Sequence, residues 1–220
     1  MYYGKKLFGQ VNGVGEEGLI AYWPLSSDAL DDSGNGLDGT EISSPSYVTV
    51  GGETGIEFNQ TSPRQYVSVA DNDLLTLSSG FKISFYLYKY TDFSRAWIVS
   101  KRENTSNQEF QMTWLSSVLY VDIFDQTAGG YIRRTATLAN TGATANAWDL
   151  YVIEWDGTTS SSGITIEVNS SPITTSDGSS GTFNAMQNTT SIMQIGDSTI
   201  SINLNLRGVL KELKIQEYGV

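Results

Sequence analysis

The chain of 220 residues is predicted to be all-β, a sandwich or barrel built around one core. Three observations carry this reading. Apolar and polar residues alternate with period two in run after run, no stripe of period 3.6 extends for a useful length, and the runs are separated by clusters of Gly, Asn, Asp and Ser. A strand sends successive side chains to opposite faces, so each such run marks a strand with one face in a core. The length suits a single sizeable domain, since sandwiches of this size commonly share one core.

Taken in order, residues 1–17 ("MYYGKKLFGQVNGVGEE") carry four glycines and little periodicity. They are expected to form an N-terminal arm ahead of a domain spanning 18–220. The arm's Tyr2, Tyr3 and Phe8 suit either packing on the sandwich edge or docking into a partner, where aromatics make good anchors. It has neither the continuous apolar stretch nor the small-residue cleavage site of a secretory signal, so export by the usual route is not expected. "LIAYW" follows as a first apolar strand, and then comes the polar run "SSDALDDSGNGLDGT". The clearest strand is Phe81–Tyr88: Phe81, Ile83, Phe85 and Leu87 share one face, Lys82, Ser84, Tyr86 and Tyr88 the other. The same alternation is read at Phe110, Met112 and Trp114; at Leu119, Val121 and Ile123; at Ile164, Ile166 and Val168; and at Val209, Leu213 and Ile215. "QTAGG", "WDGTTSSSG" and "TSDGSSG" supply the turns between them.

Composition removes several kinds of chemistry. With no cysteine and no histidine there can be no disulfide, thiolate or imidazole metal site, nor any Ser-His triad. A net charge of -11 with 13 scattered Lys and Arg argues against a nucleic-acid partner, because phosphate binding needs clustered cations. No run of eighteen apolar residues exists to span a membrane as a helix. No phosphate-cradling glycine loop is present.

The order of segments resembles that of laminin-G-like, concanavalin A-like lectin domains. The segments that carry the resemblance are "GLIAYWPLSSDALDDSGNGLDGT", "GIEFNQTSPRQYVSVADNDLLTLSSGFKISFYLY", "IVSKRENTSNQEFQMTW", "AWDLYVIEWDGTTSSSGITIEVNSSP" and "MQIGDSTISINLNLRGVLKELKIQEYGV". Together they cover about residues 18–218. The resemblance implies a jelly-roll sandwich of two curved antiparallel sheets, with a concave face that holds glycans or proteins in many relatives.

The same resemblance implies a structural calcium near the first polar loop. Hard cations want six to eight oxygens, and Asp28, Asp32 and Asn35, with Glu212 in the closing strand, would supply them. Lys211 stands where relatives show the first acid of a closing pair, which places a competing charge beside the site. The alternative is a metal-free turn, capped by Asx-type hydrogen bonds and eased by Gly34, Gly36 and Gly39.

Glycosidases on this fold set two or three acids alternating along one strand. The nearest match is Glu154 with Asp156, but Thr158 takes the next same-face position, and Asp156-Gly157 reads as a hairpin turn with Trp155 packing on the other face. No catalytic residue is expected. Sugar rings stack on aromatic faces while Asp, Asn and Gln fix their hydroxyls, and this makes Tyr86, Tyr88, Tyr120 and Asp122 the candidate ligand-binding residues.

The expected function is non-enzymatic. A lectin-type fold without signal peptide or cysteine suits a bacteriophage virion protein made in the host cytoplasm, such as a capsid decoration, tail-associated or fibre-tip component. It would hold other virion proteins through the arm or a sheet edge, assemble as a homo-oligomer or symmetric array, and offer its sandwich to host-surface glycans. Two alternatives stay open: a glycan-binding module of a secreted or surface bacterial protein, hence extracellular, and a divergent glycosidase centred on Glu154.

Overall fold

In the computed structural model, which describes residues 16–58, 63–90, 95–198 and 206–219, two antiparallel sheets pack face to face over a shared apolar core. Tyr2, Tyr3 and Phe8 of the expected arm lie outside the described residues. Among the described residues no helix is long and apolar enough to cross a membrane.

The strands in chain order are β1 (Leu19–Trp23), β2 (Gly39–Ile42), β3 (Ser46–Val50), β4 (Glu53–Phe58), β5 (Tyr66–Val69), β6 (Phe81–Lys89), β7 (Arg95–Asn104) and β8 (Asn107–Leu115). There follow β9 (Val118–Phe124), β10 (Tyr131–Thr137), β11 (Trp148–Trp155), β12 (Ile164–Val168), β13 (Ser171–Pro172), β14 (Ser176–Asp177), β15 (Met193–Ile195) and β16 (Gly208–Glu217). The first sheet runs β13-β12-β11-β6-β16-β4-β3, with β1 also paired to β16. The second runs β14-β10-β9-β8-β7-β15-β5-β2. Chain neighbours β7 to β10 pair as successive hairpins, whereas β16 reaches back across most of the chain to lie between β6 and the pair β4 and β1.

The alternation explains the core. Phe81, Ile83, Phe85 and Leu87 from the first sheet meet Phe110, Met112, Trp114, Leu119, Val121 and Ile123 from the second. Trp23, Trp114 and Trp155 are fully buried, and Phe81 packs on Phe110 at 5.3 Å and on Trp155 at 5.9 Å. A buried indole N–H needs an acceptor. Trp23 donates to the Leu37 carbonyl at 2.8 Å and Trp155 to that of Thr158 at 2.9 Å, which ties two loops to the core.

One expected register is corrected. Strict alternation through Val209, Leu213 and Ile215 would put all three on the core face. Instead Leu210 enters the core between Leu87 and Ile56, and Val209 pairs with outward-facing Tyr88. The cause is a β-bulge: two residues, Glu212 and Leu213, stand opposite Phe85 alone. Glu212 takes φ 52°, and its N–H bonds to the Pro24 carbonyl at 2.9 Å rather than into the ladder. The bend also lets β16 change neighbours, pairing with β4 before the bulge and with β1 after it.

Candidate functional site

Because Val121 and Ile123 point into the core, Tyr120 and Asp122 must point out of the second sheet. Register then fixes their neighbours. One row across the outer face runs Gln194, Ser100, Gln111, Asp122, Arg133, and the adjacent row runs Trp97, Thr113, Tyr120, Thr135. The four consecutive strands β7 to β10 and the distant β15 thus contribute to a single surface.

The first row is a continuous polar network. Arg133 grips Asp122 through Nε and, at 2.9 Å, through Nη2, the two-pronged geometry that makes guanidinium-carboxylate pairs strong. Gln111 donates to the same carboxylate from Nε2, and its Oε1 accepts from Arg102 Nη1 at 2.7 Å. Asp122 itself is completely buried. Burial works against the charge on Arg133, but the Asp122 carboxylate outweighs it and holds the guanidinium above its ordinary pKa. Aromatic faces back the cations: Arg133 lies 4.9 Å from the Tyr120 ring and 4.6 Å from that of Tyr131, and Arg102 lies 4.7 Å from Phe124.

The second row contains an anomaly. Trp97 and Thr113 face one another across β7 and β8, each only 5% exposed. Among the described residues Trp97 Nε1 and Thr113 Oγ1 nevertheless find no hydrogen-bond partner, and neither does Arg102 Nε. Buried polar atoms are nearly always paired, and those that are not need an explanation. Here three such atoms border the side chains of Tyr120 and Gln111. Alternation within "EFQMTW" already turns Gln111 and Thr113 away from the core, so period two alone could have found them. Trp97 was harder to read, because a register shift between Trp97 and Val99 sends both Ile98 and Val99 inward.

Tyr86 and Tyr88 lie on the opposite surface of the sandwich, the outer face of the first sheet. Tyr88 meets Trp148 edge-on at 5.5 Å, and Lys211 lies 4.8 Å from the Tyr86 ring and 5.3 Å from Trp148. A groove of ≈ 330 Å³ passes Tyr86, Leu150 and Val152 between charged side chains. The structure therefore brings Tyr120 together with Asp122, and Tyr86 with Tyr88, but does not join the two pairs.

Glu154 lies 3.3 Å from Lys82, and Asp156 Oδ1 accepts from both the amide and the hydroxyl of Thr158, an Asx turn. In the first polar loop the organising residue is Asp31, which takes the amides of Tyr22, Ser33 and Leu37 and the Ser33 hydroxyl. Asp28 accepts from Leu30 N at 3.2 Å, and Asn35 Nδ2 donates to the Ile20 carbonyl at 2.8 Å. Asp32 and Glu212 both act on Tyr22, whose hydroxyl is raised in pKa by burial first and then by these charges, Lys214 opposing. Glu212 is also ion-paired with Lys211 at 3.2 Å, and Lys211 with Glu53 at 3.0 Å. Among the described residues no three acidic side chains converge as they would around a cation.

No protein-family model and no curated protein matches the sequence. Solved structures do match the fold. The binding domain of Paraclostridial Mosquitocidal Protein 1 aligns with a TM-score of 0.69 at 19% identity, over 92% of this chain and 49% of that one. The botulinum neurotoxin serotype D ligand binding domain in complex with N-acetylneuraminic acid aligns at 0.63 and 12% identity, over 91% and 47%. Domain 4 of AbnA, a GH43 extracellular arabinanase from Geobacillus stearothermophilus, in complex with arabinotriose, aligns at 0.60 and 13% identity, over 90% and 92%. The chain thus spans about half the length of the two toxin structures and nearly all of the arabinanase domain.

Proposed function

We propose that the chain is a non-catalytic carbohydrate-binding module that takes a glycan against the outer face of its second sheet. The observation that carries this is the partly exposed pair of rings, Tyr120 and Tyr131, set on either side of Arg133, which the buried Asp122 carboxylate holds in place. Such an arrangement suits a sugar: the aromatic rings accept its C–H face, and the polar side chains between them take its hydroxyls. Two of the similar structures are complexes with sugars, and this supports the reading by analogy of fold alone. A role in catalysis is not part of it, since Glu154 is paired with Lys82 and Asp156 is held in its turn.

The test is binding of a neutral and acidic oligosaccharide panel, followed by calorimetry on the strongest ligand. Tyr120→Ala and Tyr131→Ala should each weaken it at least ten-fold while the folded spectrum is kept. A loss confined to Tyr86→Ala would move the site to the other sheet and overturn the assignment. The virion setting expected from the sequence is a proposal separate from this chemistry. Many copies of the chain's peptides in purified particles would support it, and their occurrence only in a secreted fraction would favour an extracellular module.

A further inference from the structure

Lys101 is fully buried and stands in a core-facing row, opposite Phe110 on β8 and Met193 on β15. Two carboxylates meet its ammonium: Asp71 Oδ1 at 2.9 Å, and Glu109 Oε1. Glu109 reaches it through a β-bulge, since Lys101 and Arg102 pair with Phe110 and Gln108 and leave Glu109 as the extra residue between them. The side chains of Lys101 and Glu109 are 0% exposed and that of Asp71 30%, so the cluster is sealed except at Asp71. The two oxygens of Glu109 differ. Oε1 also accepts from the Thr189 amide at 2.9 Å and from its hydroxyl at 2.8 Å, whereas Oε2 has no hydrogen-bond partner among the described residues. Burial pushes the Glu109 carboxyl up, against the pull of Lys101 and Thr189, and this favours the neutral acid.

We propose that Lys101 and Glu109 condense into an amide cross-link between β7 and β8, with Asp71 as the base and Thr189 as the donor to the developing oxyanion. The cross-link is independent of the glycan site. Asp71 takes a proton from the Lys101 ammonium, and the freed amine adds to Cδ of the neutral Glu109 acid. As the C–N bond forms, the carbonyl electron pair moves onto Oε1, where the Thr189 amide and hydroxyl already point. A second proton passes from the nitrogen to Oε2, the C–Oε2 bond breaks and water leaves; the proton on Asp71 is lost to solvent at the exposed mouth. Holding amine, acyl group and base together supplies the proximity that separate molecules lack. The product replaces two charges that are costly to bury by one neutral amide. Lys89 provides the contrast: it is buried against Asp149 at 3.9 Å, with no second carboxylate on its ammonium among the described residues, so it lacks a base and should stay free.

The test is intact-mass spectrometry of the purified full chain after denaturation. The wild type is expected to be lighter than its sequence by one water, and trypsin should release a branched peptide joining residues 96–102 to residues 103–133 through Lys101 and Glu109. Asp71→Asn, at the exposed mouth, should fold with an unchanged melt and carry the full mass of its sequence. Glu109→Ala should also show no water loss; if it does not fold, the wild-type mass and Asp71→Asn still decide. A wild type at full mass after prolonged incubation in the folded state would overturn the proposal. A branch from Lys101 to Asp71, or water loss that persists in Asp71→Asn, would overturn the roles given to Glu109 and Asp71. Loss of a second water at Lys89 would show that the three-group arrangement is not what the reaction needs, and would equally defeat it.

Discussion

Replacing Asp31 by Ala removes the acceptor around which the first polar loop is organised. Its two oxygens take three backbone amides and one hydroxyl at 2.8–3.0 Å. A hydrogen bond to a charged acceptor contributes about 1.5–3 kcal/mol net. Ser33 can turn to water, so the amides of Tyr22 and Leu37 dominate, and the variant should lose about 3–4 kcal/mol. For a chain of this size each kcal/mol moves the midpoint by about 2–4 °C, and a fall of roughly 10 °C follows. The assay is calorimetric melting of both proteins, once in millimolar calcium and once in chelator, with urea unfolding as a check. The wild type and Asp31→Ala should differ by the same amount in both buffers, because the oxygens of Asp31 are already taken by protein donors. Two results would refute the reasoning. A loss below about 1 kcal/mol would mean that water replaces Asp31 freely. A calcium-dependent rise in the wild-type midpoint that Asp31→Ala abolishes would mean that the loop is organised by a cation, as the family resemblance implied.

Asp125 gives a pH prediction. Burial pushes its carboxyl up, but the amides of Ala128, Asn184 and Ala185 outweigh this and hold it below the usual range. A depressed pKa contributes stability that is complete above the unfolded value and is lost as pH falls through the folded one. Urea midpoints should therefore drop as pH falls below about 4, and less steeply in Asp125→Asn, which is less stable at neutral pH. A Cβ at Gly130 would lie 2.1 Å from the Thr182 carbonyl oxygen and 2.5 Å from its carbon, both backbone. Gly130→Ala should cost at least the roughly 1–3 kcal/mol of overpacking, read as a lower urea midpoint. Glu212→Gly should relieve about 1 kcal/mol of left-handed strain and raise the melting point slightly, provided that the ion pair with Lys211 is worth less than that.

How far the sequence could be read depends on whether an element's geometry is local. The faces of β6, β8, β9 and β12 followed from period two, because in each of them alternation is unbroken and the core residues are large. β16 did not, since the bulge at Glu212 depends on its neighbours β1, β4 and β6, which lie far away in the chain. The candidate site shows the same division. Tyr120 and Asp122 were visible as outward residues of one strand, and so were Tyr86 and Tyr88, but which outward rows share a surface is decided by long-range pairing. Arg102 and Arg133 gain their meaning only there, as two cations around one carboxylate. The first loop was legible as turn chemistry, although Asp31 rather than Asp32 proves to be its centre, because only Asp31 faces the amides of Tyr22 and Leu37.

The pairing of β1 with β16 has a mechanical consequence. Leu19 lies beside Gln216, and the Glu217 amide donates to the Gly18 carbonyl at 2.9 Å, so the sandwich begins and finishes at one point on its surface. Tension applied through the two ends would pull these antiparallel strands apart like a zip, breaking their rungs one after another from Gly18 inward instead of shearing them all together. A tethered copy holding a surface would thus yield first where it is attached, peeling β1 from the first sheet before any load reaches the strands that carry Trp97, Asp122 and Arg133 on the second.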